Sequence, residues 1–591
     1  MKKLKYILFL VASLVFFQGC MNDLLDTTPY DSIGSGNMWD SENLVDLGVN
    51  GVYNTLRYPF VGKERWMLDQ DGFVGMDRNR TSWLLGSSTF KSGVITAGDG
   101  LFTKYWQQHY EGIHRSNDAL ANLTAGVPVS DEKVARLIAE VKFLRAYFYF
   151  NLNQVFKGVP IYLEPVPAEE INRPRDTEAA VWQLIIDDLT DCVNEANLPA
   201  MYSSGDAEFG RATKAAAYAL RGKAYLYMKD YSKAESDFRK VGELGPQLYQ
   251  GDYKALFSTA NERNPEMIFS VQNIALSGLG SKTQKHIGTR IAFGSNWNNY
   301  LPHPDFIESF ENIDGSPFNW DDYLPGYSTM TPQERVVFFL RDGMTAEQIA
   351  SFEEKGADMS QYLAEGNEAR IKAAYDNRDP RLQATIITPY SSFNGAAGTD
   401  EYTYTLRWPY VGYDRAEPFD IRTDTNNKFY YLWRKWVYEG TSIENREYGP
   451  TDMPLIRYAD VLLMLAEAIN EQGFDPEVVT IVNQVRERAG VAPLQTSDAS
   501  QPTYVSNQDD MRVRIQNERR WELPLEGINL FDEMRWKTWK DVKFYDGNGA
   551  KEIYGTQSYP FSWRGDYVYT WAIPRTETER NTELQQNPGW E

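Results

Sequence analysis

The chain predicts an all-α, predominantly helical fold. Tetratricopeptide-like helical hairpins form a scaffold, and a large irregular, loop-rich insertion carries a few short strands. Three observations predict it. Apolar residues recur at three- and four-residue spacing over about 102–258 and again from Pro454. Residues 215–246 carry a recognisable repeat pattern. Residues 260–450, in contrast, are rich in Gly, Pro, Asn and aromatic residues and show weak periodicity.

Taken in order, the chain starts with Lys2, Lys3 and Lys5, an apolar run from Tyr6 to Phe17, and Gln18-Gly19-Cys20. A basic lead, a short apolar core and a cleavage-type boundary predict a secretory signal over 1–19. Cysteine at the boundary predicts lipidation at Cys20. The apolar run falls short of the roughly 20 residues a bilayer span needs. Residues 20–40 read as a tether, and 41–591 as one large folded unit, with scaffold at about 41–258 and 451–591 and the insertion at about 260–450. From Ser41, the spacing of Leu44, Leu47, Val52, Tyr53 and Leu56 is helical. Residues 59–100 are loop-like and rich in Gly, Asp, Arg and Trp. A helical hairpin is expected over Asp131–Phe156, and another over Pro454–Gly490 with its turn at Gly473. Counting Ala215 as repeat position one, Tyr218, Gly222, Tyr225, Tyr231, Ala234, Phe238 and Pro246 stand where the tetratricopeptide pattern places them; Arg221 stands where leucine is expected. Strand candidates within the insertion are Met267–Val271 and Ala384–Ile387. Trp408, Tyr410, Trp433 and Trp436 are read as core.

Composition excludes several functions. The net charge is −22, and becomes −25 once the three lysines leave with the signal. Nucleic acid as a ligand is therefore disfavoured, because phosphate binding needs a dense basic surface. The two cysteines are Cys20 and Cys192; with Cys20 lipidated, Cys192 has no disulfide partner and reads as a small buried hydrophobe. No His-Glu-x-x-His, no Gly-x-Ser-x-Gly and no cysteine pair for zinc occurs, so the chain is read as a non-enzyme. The Asp- and Asn-rich stretch around 312–322 admits a structural calcium ion by composition, without an EF-hand spacing; no other cofactor is expected, and no metal ligand is assigned.

Three C-terminal stretches together resemble the SusD/RagB family of outer-membrane nutrient-binding lipoproteins of Bacteroidetes. They are Asn517-Glu-Arg-Arg-Trp-Glu-Leu-Pro-Leu-Glu-Gly527, Phe531-Asp-Glu-Met-Arg-Trp536, and the ending Ile573-Pro574, Asn581, Gln586-Asn-Pro-Gly-Trp590. Glu140-Val-Lys-Phe-Leu-Arg-Ala-Tyr-Phe-Tyr149 with Gly158-Val-Pro-Ile is similar to the family's first helical signature. The sign alternation of Glu518, Arg519, Arg520 and Glu522 predicts partly buried ion pairs that fix neighbouring helices. The resemblance implies a ligand face built from inserted loops, a SusC-like TonB-dependent transporter as partner, and a lipid anchor in the outer membrane with the protein facing the cell exterior.

A glycan has a face of C–H bonds and a rim of hydroxyls, so its site needs exposed aromatic rings among short polar side chains. Two segments fit: 66–83 and 296–321. The family resemblance carries over Trp83, Trp297 and Trp320, and less directly Tyr300, Asp77, Arg78 and Asn79; Trp66 completes the set. The expected function is capture of oligo- or polysaccharide for the transporter. A peptide-capturing member of the same family, or a transporter-interaction protein without its own ligand, remains an alternative.

Overall fold

A computed structural model describes residues 38–591 except 79–86, 125, 168–169, 293–295, 398, 413–415, 424–427 and 442–444. The signal, Cys20 and the tether through residue 37 lie outside the described residues. Ten helices build the scaffold: α1 Glu42–Tyr53, α2 Gly100–Asn122, α3 Asp131–Phe156, α4 Glu178–Asn194, α5 Lys214–Tyr227, α6 Tyr231–Glu243, α7 Tyr458–Gln472, α8 Pro476–Ala489, α9 Gln508–Glu522 and α10 Asn529–Trp536. Polar side chains start them by accepting orphan backbone N–H groups: Ser130 for α3, Thr177 for α4, Thr213 for α5, Asp230 for α6 and Asn507 for α9. Pro476 opens α8 behind Asp475, and Gly490, at φ 78°, closes it in the left-handed region.

Helices α2 to α6 stack each on the next, and α7 packs directly on α6. More than 200 residues of chain therefore leave the stack after α6 and return to it at α7. The expected hairpin over Asp131–Phe156 is instead one helix of 26 residues. Its sequence contains no Gly or Pro to break it, and its packing partners are α2 and α4. The 215–246 repeat is the hairpin α5–α6. Gly222 is required there because a Cβ would stand 2.7 Å from the Phe238 ring. Arg221, at the leucine position, pairs with Asp237 of α6 at 2.8 Å and reaches Thr190 of α4 at 3.0 Å.

The strands are short: β1 Gly75–Asp77, β2 Met267–Val271, β3 Tyr300–Pro302, β4 Ser392–Ala397, β5 Asp400–Thr405 and β6 Met453–Arg457 are the ones that matter here. β2 pairs antiparallel with β6, closing the chain between α6 and α7 at its base. β4 and β5 form an antiparallel hairpin. The strand candidate Ala384–Ile387 is only half right: Pro380–Thr385 is a helix, capped by Asp379, and the strand is Ile386–Ile387. Trp408, Trp433 and Trp436 are buried as expected, whereas Tyr410 is half-buried.

A buried ion network joins the insertion to the C-terminal helices. Arg457 contacts Glu266, Glu522 and Glu526 at 2.6–2.7 Å. Arg381 contacts Asp379, Glu518 and Glu522, and Arg488 joins Glu266 and Glu522. Arg519 pairs with Asp460 and Asp532, and Arg520 with Glu533. The ion pairs expected of residues 518–522 are thus scaffold bonds, and they are nearly sealed from water rather than partly buried. The earlier signature works alike: Glu140 binds Arg211 and the Tyr53 hydroxyl, and Arg145 grips Asp188 through two 2.8 Å bonds. At the C-terminus Asn587 donates to the carbonyls of Phe156 and Trp571, and Trp590 Nε1 donates to that of Thr570.

Candidate functional site

β1 and β3 bring the two aromatic segments together. They pair antiparallel in the register Gly75–Pro302, Met76–Leu301 and Asp77–Tyr300. The ladder continues one residue further, where the Arg78 amide donates to the Asn299 carbonyl at 2.9 Å. Arg78 then reaches along the neighbouring turn: its guanidinium donates to Asn298 Oδ1 at 3.1 Å and to Asn299 Oδ1 at 3.4 Å. The turn itself is held from behind. The Trp297 amide donates to Lys285 O, that of Asn298 to Gly288 O and that of Asn299 to His286 O, while the Asn298 side chain donates to Thr423 O.

Burial sorts the expected residues. Trp297 and Arg78 are half-buried and lie on this edge. Trp66 is sealed: its ring meets Tyr300 edge-on at 5.5 Å, and its Nε1 donates to Thr283 Oγ1. Tyr300 is equally closed. Asp77 is buried and paired with Lys91 at 3.1 Å. Trp320 is 7% exposed and belongs to a separate aromatic cluster with Phe318, Tyr327, Phe339 and Tyr375; its Nε1 donates to Glu308. None of these four offers an open ring face or a free rim group to a sugar, and the expectation for them is corrected accordingly. The physical reason is common to all: each large or charged side chain found neighbours in the fold that remove it from water. Asn79 and Trp83 lie outside the described residues.

Sequence reasoning missed the surroundings of Trp297. Lys285 lies over its ring, 4.2 Å from the centroid, and pairs with Glu447 at 2.6 Å. His286 meets the ring edge-on at 5.9 Å. Burial, then the positive charges of Lys285 and Lys282, push His286 down to about 4, so a neutral imidazole supports the indole at neutral pH. Glu447 is remote in sequence, and no local pattern marks it; Lys285, one residue before His286 in an unremarkable helical turn, carries no signal either. The edge therefore combines a half-buried indole and guanidinium with the Lys285–Glu447 pair, over the buried Asn298 and Asn299 side chains. Such a set can hold a polyol by stacking and hydrogen bonding.

The expected calcium region uses its oxygens locally. Asp314 accepts from the Ser316 amide and hydroxyl, Asn319 accepts from the Asp321 amide, and Asp321 accepts from the Ser328 amide. Among the described residues no three His, Cys, Asp or Glu side chains converge as metal ligands.

Helical repeats, a looped-out segment and an edge assembled from two distant loops define a repeat-scaffold protein with an inserted-loop surface. Comparison with known proteins narrows this class. The family model described as SusD family matches residues 265–590, and one described as starch-binding associating with outer membrane matches residues 23–226. The chain belongs to the SusD/RagB family. It is 23% identical over 539 residues to SusD-like protein P25 of Formosa agariphila, covering 90% of this chain and 89% of that one. It is 25% identical over 494 residues to starch-binding protein SusD of Bacteroides thetaiotaomicron, covering 78% and 74%. The crystal structure of a SusD-like carbohydrate binding protein from Bacteroides fragilis superposes with a TM-score of 0.71 at 25% identity, over 93% of this chain and all of that one.

Proposed function

We propose that this protein is a non-catalytic, surface-exposed lipoprotein that captures oligo- or polysaccharide. It then delivers the glycan to a SusC-like TonB-dependent transporter in the outer membrane. The observation that carries the reading is the β1–β3 pairing, which sets half-buried Trp297 beside Arg78, Asn298 and Asn299. Carbohydrate as the ligand class is supported by the starch-binding relative, the carbohydrate-binding structural neighbour and the family description over 23–226. Outer-membrane association is supported by that same description and by Cys20 behind its apolar leader. Trp297 and Arg78 are the proposed contact residues here, and Asn79 and Trp83, outside the described residues, are proposed with them.

Titration calorimetry against a polysaccharide panel tests the site. Trp297→Ala weakens binding by ~1–3 kcal/mol, as loss of a stacking anchor does; full affinity in that variant removes Trp297 from the site. Heat with peptides and none with any glycan would move the assignment to peptide capture. Cys20→Ala tests the anchor: it should shift the protein from the membrane fraction to the soluble one.

A further inference from the structure

A cavity of about 480 Å³ lies between α2, the segment following α3 and the C-terminal helix Arg575–Arg580. It shares no lining residue with the Trp297 edge. Its wall is aromatic. Trp106 and Tyr110, four apart on α2, point to one face; their rings stand 4.9 Å apart, and Tyr162 meets Tyr110 at 6.0 Å. Both phenols are already committed: Tyr110 donates to Pro160 O at 2.8 Å, and Tyr162 donates to Ile171 O at 2.6 Å. Half-buried Tyr110 and Tyr162 present ring carbon to the cavity; Trp106, 5% exposed, backs them, and Arg173 lies over the Tyr162 ring at 4.7 Å. The rim is polar and carries more acid than base, with Glu111, Glu164 and Glu577 lining it against Arg580. Glu111 pairs with Arg115 at 2.8 Å; Glu577 stands 3.7 Å from Arg580 and accepts from Gln107 at 3.4 Å. His114 and Asn172 add exposed hydrogen-bonding groups.

We infer that this cavity is a second carbohydrate site, taking a neutral pyranose oligosaccharide. Three features carry the choice. The aromatic wall matches the C–H face of a pyranose. The paired carboxylates accept from hydroxyls, and the amides and guanidinium donate to them. The carboxylate excess repels a sulfate or a phosphate, while Arg115 and Arg580 already engage Glu111 and Glu577. The volume falls within the usual range for small-ligand clefts. Two sites on one rigid chain let a single polysaccharide be held at two points, which raises retention without tighter single contacts.

The inference goes beyond the Trp297 reading, and one experiment separates them. The full chain is titrated with malto-, laminari-, cello-, xylo- and manno-oligosaccharides, and stoichiometry is read. Two equivalents are expected for at least one sugar. Tyr110→Leu, and separately Arg580→Ala at a side chain 70% exposed, should each weaken one equivalent at least tenfold and leave the other; Trp297→Ala should do the converse. The arginine variant guards against loss of fold, which thermal melting checks. One equivalent that responds only to the cavity variants supports the cavity and overturns the Trp297 site. One equivalent that responds only to Trp297→Ala overturns the cavity, as does the absence of binding to every sugar in the panel.

Discussion

Trp66 and Trp297 sit at opposite ends of one aromatic run, linked through Tyr300 and His286. Their fates differ because of what surrounds the ring. Trp66 is enclosed on every side and satisfied at nitrogen, so it contributes dispersion and apolar burial to the fold. Trp66→Ala is expected to cost about 3–5 kcal/mol of stability, the range for a large aromatic truncated in a core. Chemical denaturation reads this directly. Trp297→Ala should leave the denaturation midpoint nearly unchanged and act on ligand affinity. An equal stability loss for both variants would make Trp297 a core residue too.

At the scale of one element, the hairpin α5–α6 shows how a repeat tolerates a departure. Arg221 replaces an apolar contact with a bidentate pair to Asp237 on the opposing helix, and its guanidinium also lies over the Tyr218 ring. Arg221→Leu restores the repeat pattern but strands a carboxylate in a largely enclosed place. It should destabilise by ~1–3 kcal/mol, and adding Asp237→Leu should recover most of the loss in a double-mutant cycle. Gly222→Ala forces a methyl against the Phe238 ring, and overpacking of this kind costs about 1–3 kcal/mol. A neutral outcome in thermal melting would mean that the helices can separate locally at no cost.

Across the whole molecule, the Arg457–Arg381–Arg488 network ties β6, the insertion and α9 into one body. Burial raises the Glu522 carboxyl, but Arg488, Arg457 and Arg381 overcome that and hold it at about 2. The ordinary glutamate value is 4.5. A depressed carboxylate supplies stability that is complete above its unfolded pKa and disappears as pH falls through the folded one. Glu522 should therefore contribute on the order of 3 kcal/mol at neutral pH, lost between about pH 4.5 and 2. Denaturation midpoints measured from pH 6 to 2 check this; Glu522→Gln should flatten the acid limb while lowering stability at pH 6. Arg457→Met leaves three buried carboxylates short of a partner, and about 3–5 kcal/mol of destabilisation is expected.

Much of the scaffold was legible because its determinants are local. The repeat spacing in 215–246, the turn at Gly473, the strand Met267–Val271 and the pinning motif at Asn587–Trp590 each depend on residues close together in the chain. The length of α3 is not legible in the sequence, because a packed face looks alike in one helix or two. The binding edge was legible only as two candidate segments. Composition placed aromatic and polar residues in them, yet it carried no information on which rings the fold would cover. The sequence by itself determined the helical architecture, the family and the chemical vocabulary of the surface. Only the tertiary structure decided that Trp66, Tyr300 and Trp320 turn inward and Trp297 does not, because exposure depends on partners such as Thr283, Glu308 and Lys285 that no short-range pattern brings near.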